Sequence, residues 1–370
     1  MQKVDTSFPG RHWHVLGDGK LQCDVCPRHC QLTEGQRGLC FVRAREGDQI
    51  VLTTYGRSSG YCVDPIEKKP LNHFLPGTPV LSYGTAGCNL TCRFCQNWDI
   101  SKSREMDTLA DEAPPERIAE AALATGCRSV AFTYNDPVIF LEYAVDTAIA
   151  CRERGVRTVA VTAGWVDPEA RADFFGPIDA ANVDLKAFTD EFYRKECGST
   201  LRPVLDTLVY LREETDVWLE ITTLLIPGKN DSTAEIEEAA RWVATHLGPD
   251  VPWHFTAFHP DYRMRDVPAT SLATIQRARD IAREAGIRHV YTGNVRDLEG
   301  GTTFCHGCGE ALIVRDGYTI AGWALDEHGR CRRCASPCAG VFEAKPGSWG
   351  ARRMPVRLSD FAPAGTAQPG

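Results

Sequence analysis

The sequence predicts an α/β fold: a complete or partial (β/α) barrel, with small cysteine-rich metal-binding segments at its amino and carboxyl ends. Three observations predict it. Short apolar runs rich in β-branched and aromatic residues alternate with helical segments between Gly77 and Asn294. Polar residues gather where those runs end. Twelve of the sixteen cysteines fall into three tight groups, two of them outside the alternating region.

The apolar runs are Val80–Gly84, Ser129–Tyr134, Thr158–Thr162, Asn182–Leu185, Val217–Leu225, Trp253–Phe258 and His289–Tyr291. Between them lie Pro115–Ala124, Val138–Arg154, Ala234–His246 and Leu272–Ala285, with helical composition. Strand-helix alternation implies parallel strands joined by right-handed crossovers. Repeated this often it gives a barrel, or as the alternative an open doubly wound sheet. The expected organisation is residues 1–76 as a cysteine-rich segment, 77–300 as the barrel, 301–345 as a zinc-ribbon-like or rubredoxin-like segment, and 346–370 as a partly disordered tail.

Composition is that of a globular chain, with 43% hydrophobic and 24% charged residues, so a core forms without disulfide staples. Net charge is -8 and no basic run marks a nucleic-acid surface. Met1–Lys20 has no signal-type apolar core, and no stretch is long enough for a membrane span. A cytoplasmic location is expected. In a reducing compartment the cysteines are thiols or metal ligands rather than disulfides. Cys62, Cys127, Cys151 and Cys197 stand alone and are given no role.

The central group, Cys88-x3-Cys92-x2-Cys95, follows the first barrel run directly. Three thiolates can hold three irons of a [4Fe-4S] cubane and leave the fourth open to a small molecule. The amino-terminal group, Cys23, Cys26, Cys30 and Cys40, suits a structural zinc or a second iron-sulfur cluster, and its spacing does not choose between them. Cys305-x2-Cys308 and Cys331-x2-Cys334 form two knuckles that favour a closed zinc site, with mononuclear iron as the alternative and Cys338 as a spare. In a (β/α) barrel the chemistry lies at the C-terminal strand ends. The segments there are Tyr134-Asn135-Asp136, Thr162-Ala163-Gly164, Asp184-Leu185-Lys186, Glu220-Ile221-Thr222, His254 with His259, and Thr292-Gly293-Asn294.

The triad, with Phe94 before its last cysteine, resembles the signature of radical S-adenosylmethionine (SAM) enzymes. Further stretches extend the likeness over nearly the whole chain. They are Asp64–Leu71, His73–Gly77, Cys95–Trp98, Thr133–Asn135, Asn182–Lys186, Phe255–Pro260 and Tyr291–Asn294. Together they resemble the radical SAM enzymes of the AmmeMemoRadiSam system, related to pyruvate formate-lyase activating enzymes. The resemblance implies reductive cleavage of SAM to a 5′-deoxyadenosyl radical for hydrogen abstraction, with a donor such as flavodoxin or ferredoxin. It implies cofactor contacts from Tyr134, Asn135, Asp136, Thr162, Gly164 and Asp184, and a substrate side formed by Lys186, Glu220, His254 and His259. That group usually carries Glu at the position of Asp136. The substrate is either a glycine on a protein partner or a molecule linked to Memo and Ammecr-type partners. A metal-binding scaffold is the non-enzymatic alternative.

Overall fold

The computed structural model describes residues 7–103 and 113–361. The amino-terminal part has six short strands: β1 (Phe8–Pro9), β2 (Trp13–Val15), β3 (Leu21–Cys23), β4 (Gln31–Leu32), β5 (Arg43–Glu46) and β6 (Gln49–Leu52). They form two antiparallel sheets, β1-β6-β5 and β2-β3-β4. Sheets this small cannot bury a core alone. Their apolar residues Leu21, Leu32, Val42 and Ile50 instead join the main core.

The main sheet opens with β7 (Tyr61–Pro65), antiparallel to β8 (Pro79–Tyr83). Then come β9 (Ser129–Phe132), β10 (Arg157–Thr162), β11 (Ala180–Asp184), β12 (Trp218–Leu225), β13 (Trp253–Ala257) and β14 (Val290–Gly293). A small antiparallel sheet follows, of β15 (Thr303–Phe304), β16 (Ala311–Asp316) and β17 (Thr319–Trp323), and β18 (Met354–Val356) returns to pair with β7. The nine-stranded order is β14-β13-β12-β11-β10-β9-β8-β7-β18. Strands β8 to β14 are parallel, and each adds to the same edge as the last. A doubly wound sheet would reverse direction at a switch point. This order excludes that alternative and gives an open, partial barrel.

The helices that cover it are set by local sequence. They include α1 (Trp98–Ser101), α2 (Pro115–Ala124), α3 (Leu141–Glu153), α4 (Pro168–Phe175), α5 (Asp190–Phe192), α6 (Arg202–Glu213), α7 (Thr233–His246) and α8 (Leu272–Glu284). α2 and α4 begin with proline at the first helical position, where no intrahelical N–H is needed. Ser232 and Ser271 cap α7 and α8, accepting from the N–H groups of Glu235 and Thr274. The expected helix Val138–Arg154 is split. Its start, Pro137–Phe140, is a 3-10 turn capped by Asp136.

Two features complete the open barrel. The loop between β7 and β8 fills its floor. Glu220 there accepts from the backbone N–H of Asn72 (2.9 Å) and His73 (2.7 Å), and Asn182 Nδ2 donates to the Pro70 carbonyl (2.8 Å). The segment expected as a tail supplies edge strand β18, and Leu358 is buried in the core. Residues 362–370 of that tail lie outside the described residues. Among the described residues no helix is long and apolar enough to cross a membrane.

Candidate active site and metal centres

β8 ends at Tyr83 and the chain turns into the loop that carries the cysteine triad. Glycine permits the turn at two points. A Cβ at Gly84 would overlap the Thr133 carbonyl and Asn135 Oδ1, and one at Gly87 (φ +81°) would overlap the Cys40 carbonyl. Asn135 holds the loop from the end of β9. Its Oδ1 accepts from Thr85 N (3.2 Å) and its Nδ2 donates to the Gly87 carbonyl (2.8 Å). From below, the turn after α5 accepts from the loop: Thr91 N donates to the Cys197 carbonyl (2.8 Å) and Arg93 N to that of Glu196 (2.9 Å). Cys88, Cys92 and Cys95 then open into one cavity of about 390 Å³, shared with Tyr134, Asn135, Asp136, Thr162, Asp184 and Lys186.

The walls carry opposed charges. Asp136 is 5% exposed, and its carboxylate accepts from Thr162 Oγ1 (2.8 Å), Ala163 N (3.2 Å) and Val138 N (3.3 Å). Burial nevertheless pushes its pKa up to about 6. Lys186 Nζ donates to Asp184 Oδ2 (2.8 Å). Burial works against the Lys186 cation, but Asp184 and the Cys92 and Cys197 sulfurs hold its pKa well above the usual lysine value. A hydrogen bond from Cys197, with Lys186 and Lys102 beyond, pulls Cys92 down to about 6 against burial. Burial raises Cys88 to about 12, with Lys102 opposing it.

Tertiary packing moves other expected site residues away. Glu220 and His254 lie near the starts of β12 and β13 and do not line the cavity. Glu220 accepts from His254 Nε2 (2.7 Å), the Trp218 indole (3.0 Å) and the floor loop, so both side chains build the barrel floor. The residues two further along, Thr222 and Thr256, reach the cavity instead. His259 sits on the rim, its Nδ1 against Gln96 Nε2 (2.9 Å). Gly164 (φ +65°) lies outside the lining, where a Cβ would meet Val183.

Sequence reasoning missed Lys68 and Lys69 on the floor loop, Tyr318 at the β16–β17 turn, and Lys102, all of which line the cavity. Lys69 Nζ donates to Asp64 Oδ2 (2.7 Å) and lies 4.9 Å from the Tyr134 ring centre. Burial lowers its pKa to about 8. The Lys68-Lys69 pair beside Asp64 was legible as a motif, but its direction was not. Cys197, set aside as isolated, stands against Cys92.

Cys305, Cys308, Cys331 and Cys334 bring their sulfurs within 4.8 Å of one another, with Cys305–Cys334 at 3.5 Å and Cys308–Cys331 at 3.7 Å. Four thiolates about 2.3 Å from one tetrahedral ion stand about 3.8 Å apart, so this group fits a single metal ion. His73, His289 and Cys338 also converge within 4.8 Å. His73 there accepts at Nε2 from Tyr291 Oη (2.5 Å) and donates from Nδ1 to the Ala339 carbonyl (2.6 Å).

The profile of the radical SAM superfamily matches residues 82–243, from β8 through α7. A Methanocaldococcus jannaschii protein of uncharacterised function is 40% identical over 323 residues, covering 87% of this chain and 96% of that one. The chain belongs to the radical SAM superfamily. The pyruvate formate-lyase-activating enzyme of Clostridium pasteurianum is 23% identical over 197 residues, 50% of this chain and 81% of that one. A radical SAM methyltransferase from Sphaerobacter thermophilus superposes at a TM-score of 0.48 with 16% identity, over 78% of this chain and 77% of that structure. Radical SAM membership makes this chain an enzyme that uses a [4Fe-4S] cluster, SAM and a reductant for radical chemistry. The residues present fit those groups. The triad forms no set with its three sulfurs within 4.8 Å, as thiolates on separate irons require, and it faces a cavity lined by the Asp136 and Asp184 carboxylates and by lysines.

Proposed function

We propose that this radical SAM enzyme cleaves SAM reductively at a cluster held by Cys88, Cys92 and Cys95, and that its substrate enters beside Lys68, Lys69 and Tyr318. The observation that supports this is the single cavity onto which the triad, Asp136, the Asp184-Lys186 pair and the floor lysines all open. The bound cluster and SAM supply a one-electron cleavage of the sulfonium C–S bond. The protein's part is to bind, orient and exclude water. Asp136, fixed by three donors, would accept from the SAM amino group. Lys186, fixed by Asp184, would meet its carboxylate. Tyr134 and Thr162 would complete the wall, while Asn135 and Gly164 shape the backbone behind it.

The stretches from Asp64 to Asn294 favour the AmmeMemoRadiSam group, with hydrogen abstraction from a molecule linked to Memo and Ammecr-type partners. We assign it a flavodoxin- or ferredoxin-type donor, a cytoplasmic location and zinc in the Cys305 group. The proposed units are 1–76, 77–300 and 301–345, with residues 346–370 after them. Likeness to the Clostridium pasteurianum enzyme supports a second reading, installation of a glycyl radical on a protein partner.

The test is anaerobic reconstitution, reduction with dithionite in the presence of SAM, and chromatography for 5′-deoxyadenosine. The wild type should form it, and Cys92→Ser should not. A reconstituted, fully folded wild type that releases none would sink the reading of the triad as the site of reductive SAM cleavage.

A further inference from the structure

The amino-terminal cysteines allow a choice that their spacing left open. Cys23, Cys26, Cys30 and Cys40 line one small cavity together with Arg28, Arg43 and Asn89. Two thiolates on one zinc, each about 2.3 Å from it, can stand no more than about 4.6 Å apart. Among the described residues, the groups with three or more ligand atoms all within 4.8 Å are the Cys305 group and the His73 group. No three of the four amino-terminal sulfurs meet that condition, so one ion cannot take three of them as they stand. Thiolates that each bind a different iron of a cubane are held farther apart. The triad sulfurs likewise do not all lie within 4.8 Å of one another, and those of the Cys305 group do.

Backbone hydrogen bonds tie down the segments that carry these cysteines. Cys23 lies in β3, and its N–H donates to the Cys30 carbonyl (3.0 Å). His29 N donates to the Cys26 carbonyl (3.1 Å), and Gly38 N to that of Arg43 (2.9 Å). Two arginines line the cavity beside the sulfurs. Arg43, 2% exposed, is held by Glu142 (2.6 Å) and donates to the Ile139 carbonyl (3.1 Å). Arg28 donates to the carbonyls of Asn89 (3.1 Å) and Gly198.

We propose that Cys23, Cys26, Cys30 and Cys40 bind a second [4Fe-4S] cluster that relays single electrons to the triad cluster. Four thiolates leave it no open iron, so it does not bind SAM. It lies one backbone segment from the triad. The Cys40 carbonyl packs against Gly87, Asn89 lines the second cavity, and Asn89 Oδ1 is 3.8 Å from Cys88 Sγ. The step is one electron from a one-electron donor, such as dithionite or a flavodoxin-type protein, to this cluster and on to the triad. No bond forms and no proton moves. The relay role rests on the triad reading, whereas the cluster assignment does not.

The deciding protein is the triple variant Cys88→Ala/Cys92→Ala/Cys95→Ala, reconstituted anaerobically at full length. It should keep about four irons and four sulfides per chain, where the wild type holds about eight of each. Dithionite should give it a cluster EPR signal that SAM leaves unchanged. The pair variant Cys23→Ala/Cys26→Ala should lose half the iron and keep a SAM-sensitive signal. The reduced wild type should show a spectrum broadened by spin coupling, beyond the sum of the two variants. A triple variant that is folded, free of iron and carries two zinc ions overturns the cluster. Two uncoupled spectra overturn the relay alone. A triad signal indifferent to SAM would instead defeat the reading of the triad.

Discussion

Replacing Asp136 by Asn should stabilise the protein and weaken its hold on SAM. The carboxylate is buried, and its pKa of about 6 stands well above the usual 3.8 even with three donors bonded to it. A rise of that size means that the charged form costs about 3 kcal/mol of folding stability above pH 6. The sign follows from linkage. The folded state holds the proton between pH 3.8 and 6 where the unfolded chain has released it, so the penalty grows as pH rises through that window. Asn keeps the shape and removes the charge. Its amide still accepts from Thr162, but one donor faces the Ala163 N–H, which takes back about 1 kcal/mol. A net gain of about 2 kcal/mol is therefore expected at pH 8, falling to about a third of that at pH 5. A charge-assisted bond to the SAM amino group is worth roughly 1.5–3 kcal/mol, so affinity should fall about ten-fold to a hundred-fold. Anaerobic melting of the reconstituted proteins at the two pH values, beside calorimetric titration of SAM at pH 8, measures both effects. Unchanged SAM affinity would reduce Asp136 to the cap of the turn at Pro137. A variant less stable than wild type at pH 8 would refute the argument from burial.

Four further perturbations follow from the geometry. Gly87→Ala meets the Cys40 carbonyl at φ +81°, so it should cost at least about 1 kcal/mol and lower the iron content at both cysteine sites, read by metal analysis. Glu220→Ala leaves the N–H groups of Asn72 and His73 unpaired on the barrel floor. It should destabilise by about 3 kcal/mol or more with SAM affinity unchanged, and a selective loss of SAM binding would return Glu220 to the site. Cys305→Ser should lose one metal ion and folding yield while the triad cluster stays, as metal and colour analysis would show. Glu67, 6% exposed, accepts from Gly77 N (2.6 Å), and burial pushes its pKa from 4.5 to about 7. Its contribution to stability is present below pH 4.5 and lost as pH rises through 7, about 3 kcal/mol in all. Glu67→Gln should therefore gain more over wild type in melting temperature at pH 8 than at pH 5, and an equal gain at both would count against it.

The sequence by itself determined the seven parallel strands and four of the helices between them, and it marked the cysteine groups proposed as metal ligands. Runs such as Ser129–Phe132 and helices such as Pro115–Ala124 are set by periodicity and caps that lie within a few residues of each other. The triad is legible because its ligands are neighbours on one loop. Tertiary structure decided how deep along a strand each side chain lies. Alternation puts Glu220, Thr222 and Leu224 on one face, but it does not say that Glu220 meets the floor loop while Thr222 meets the cavity. It also decided that Lys69 and Tyr318, far apart in the chain, share the cavity with Asp136, and that Cys197 stands against Cys92. Spacing gave the two outer cysteine groups equal standing as metal sites. Two pairs of sulfurs stand 3.5 and 3.7 Å apart in one group, and the other group is spread more widely, set by how the loops that carry most of them pack, a long-range property that no local pattern encodes.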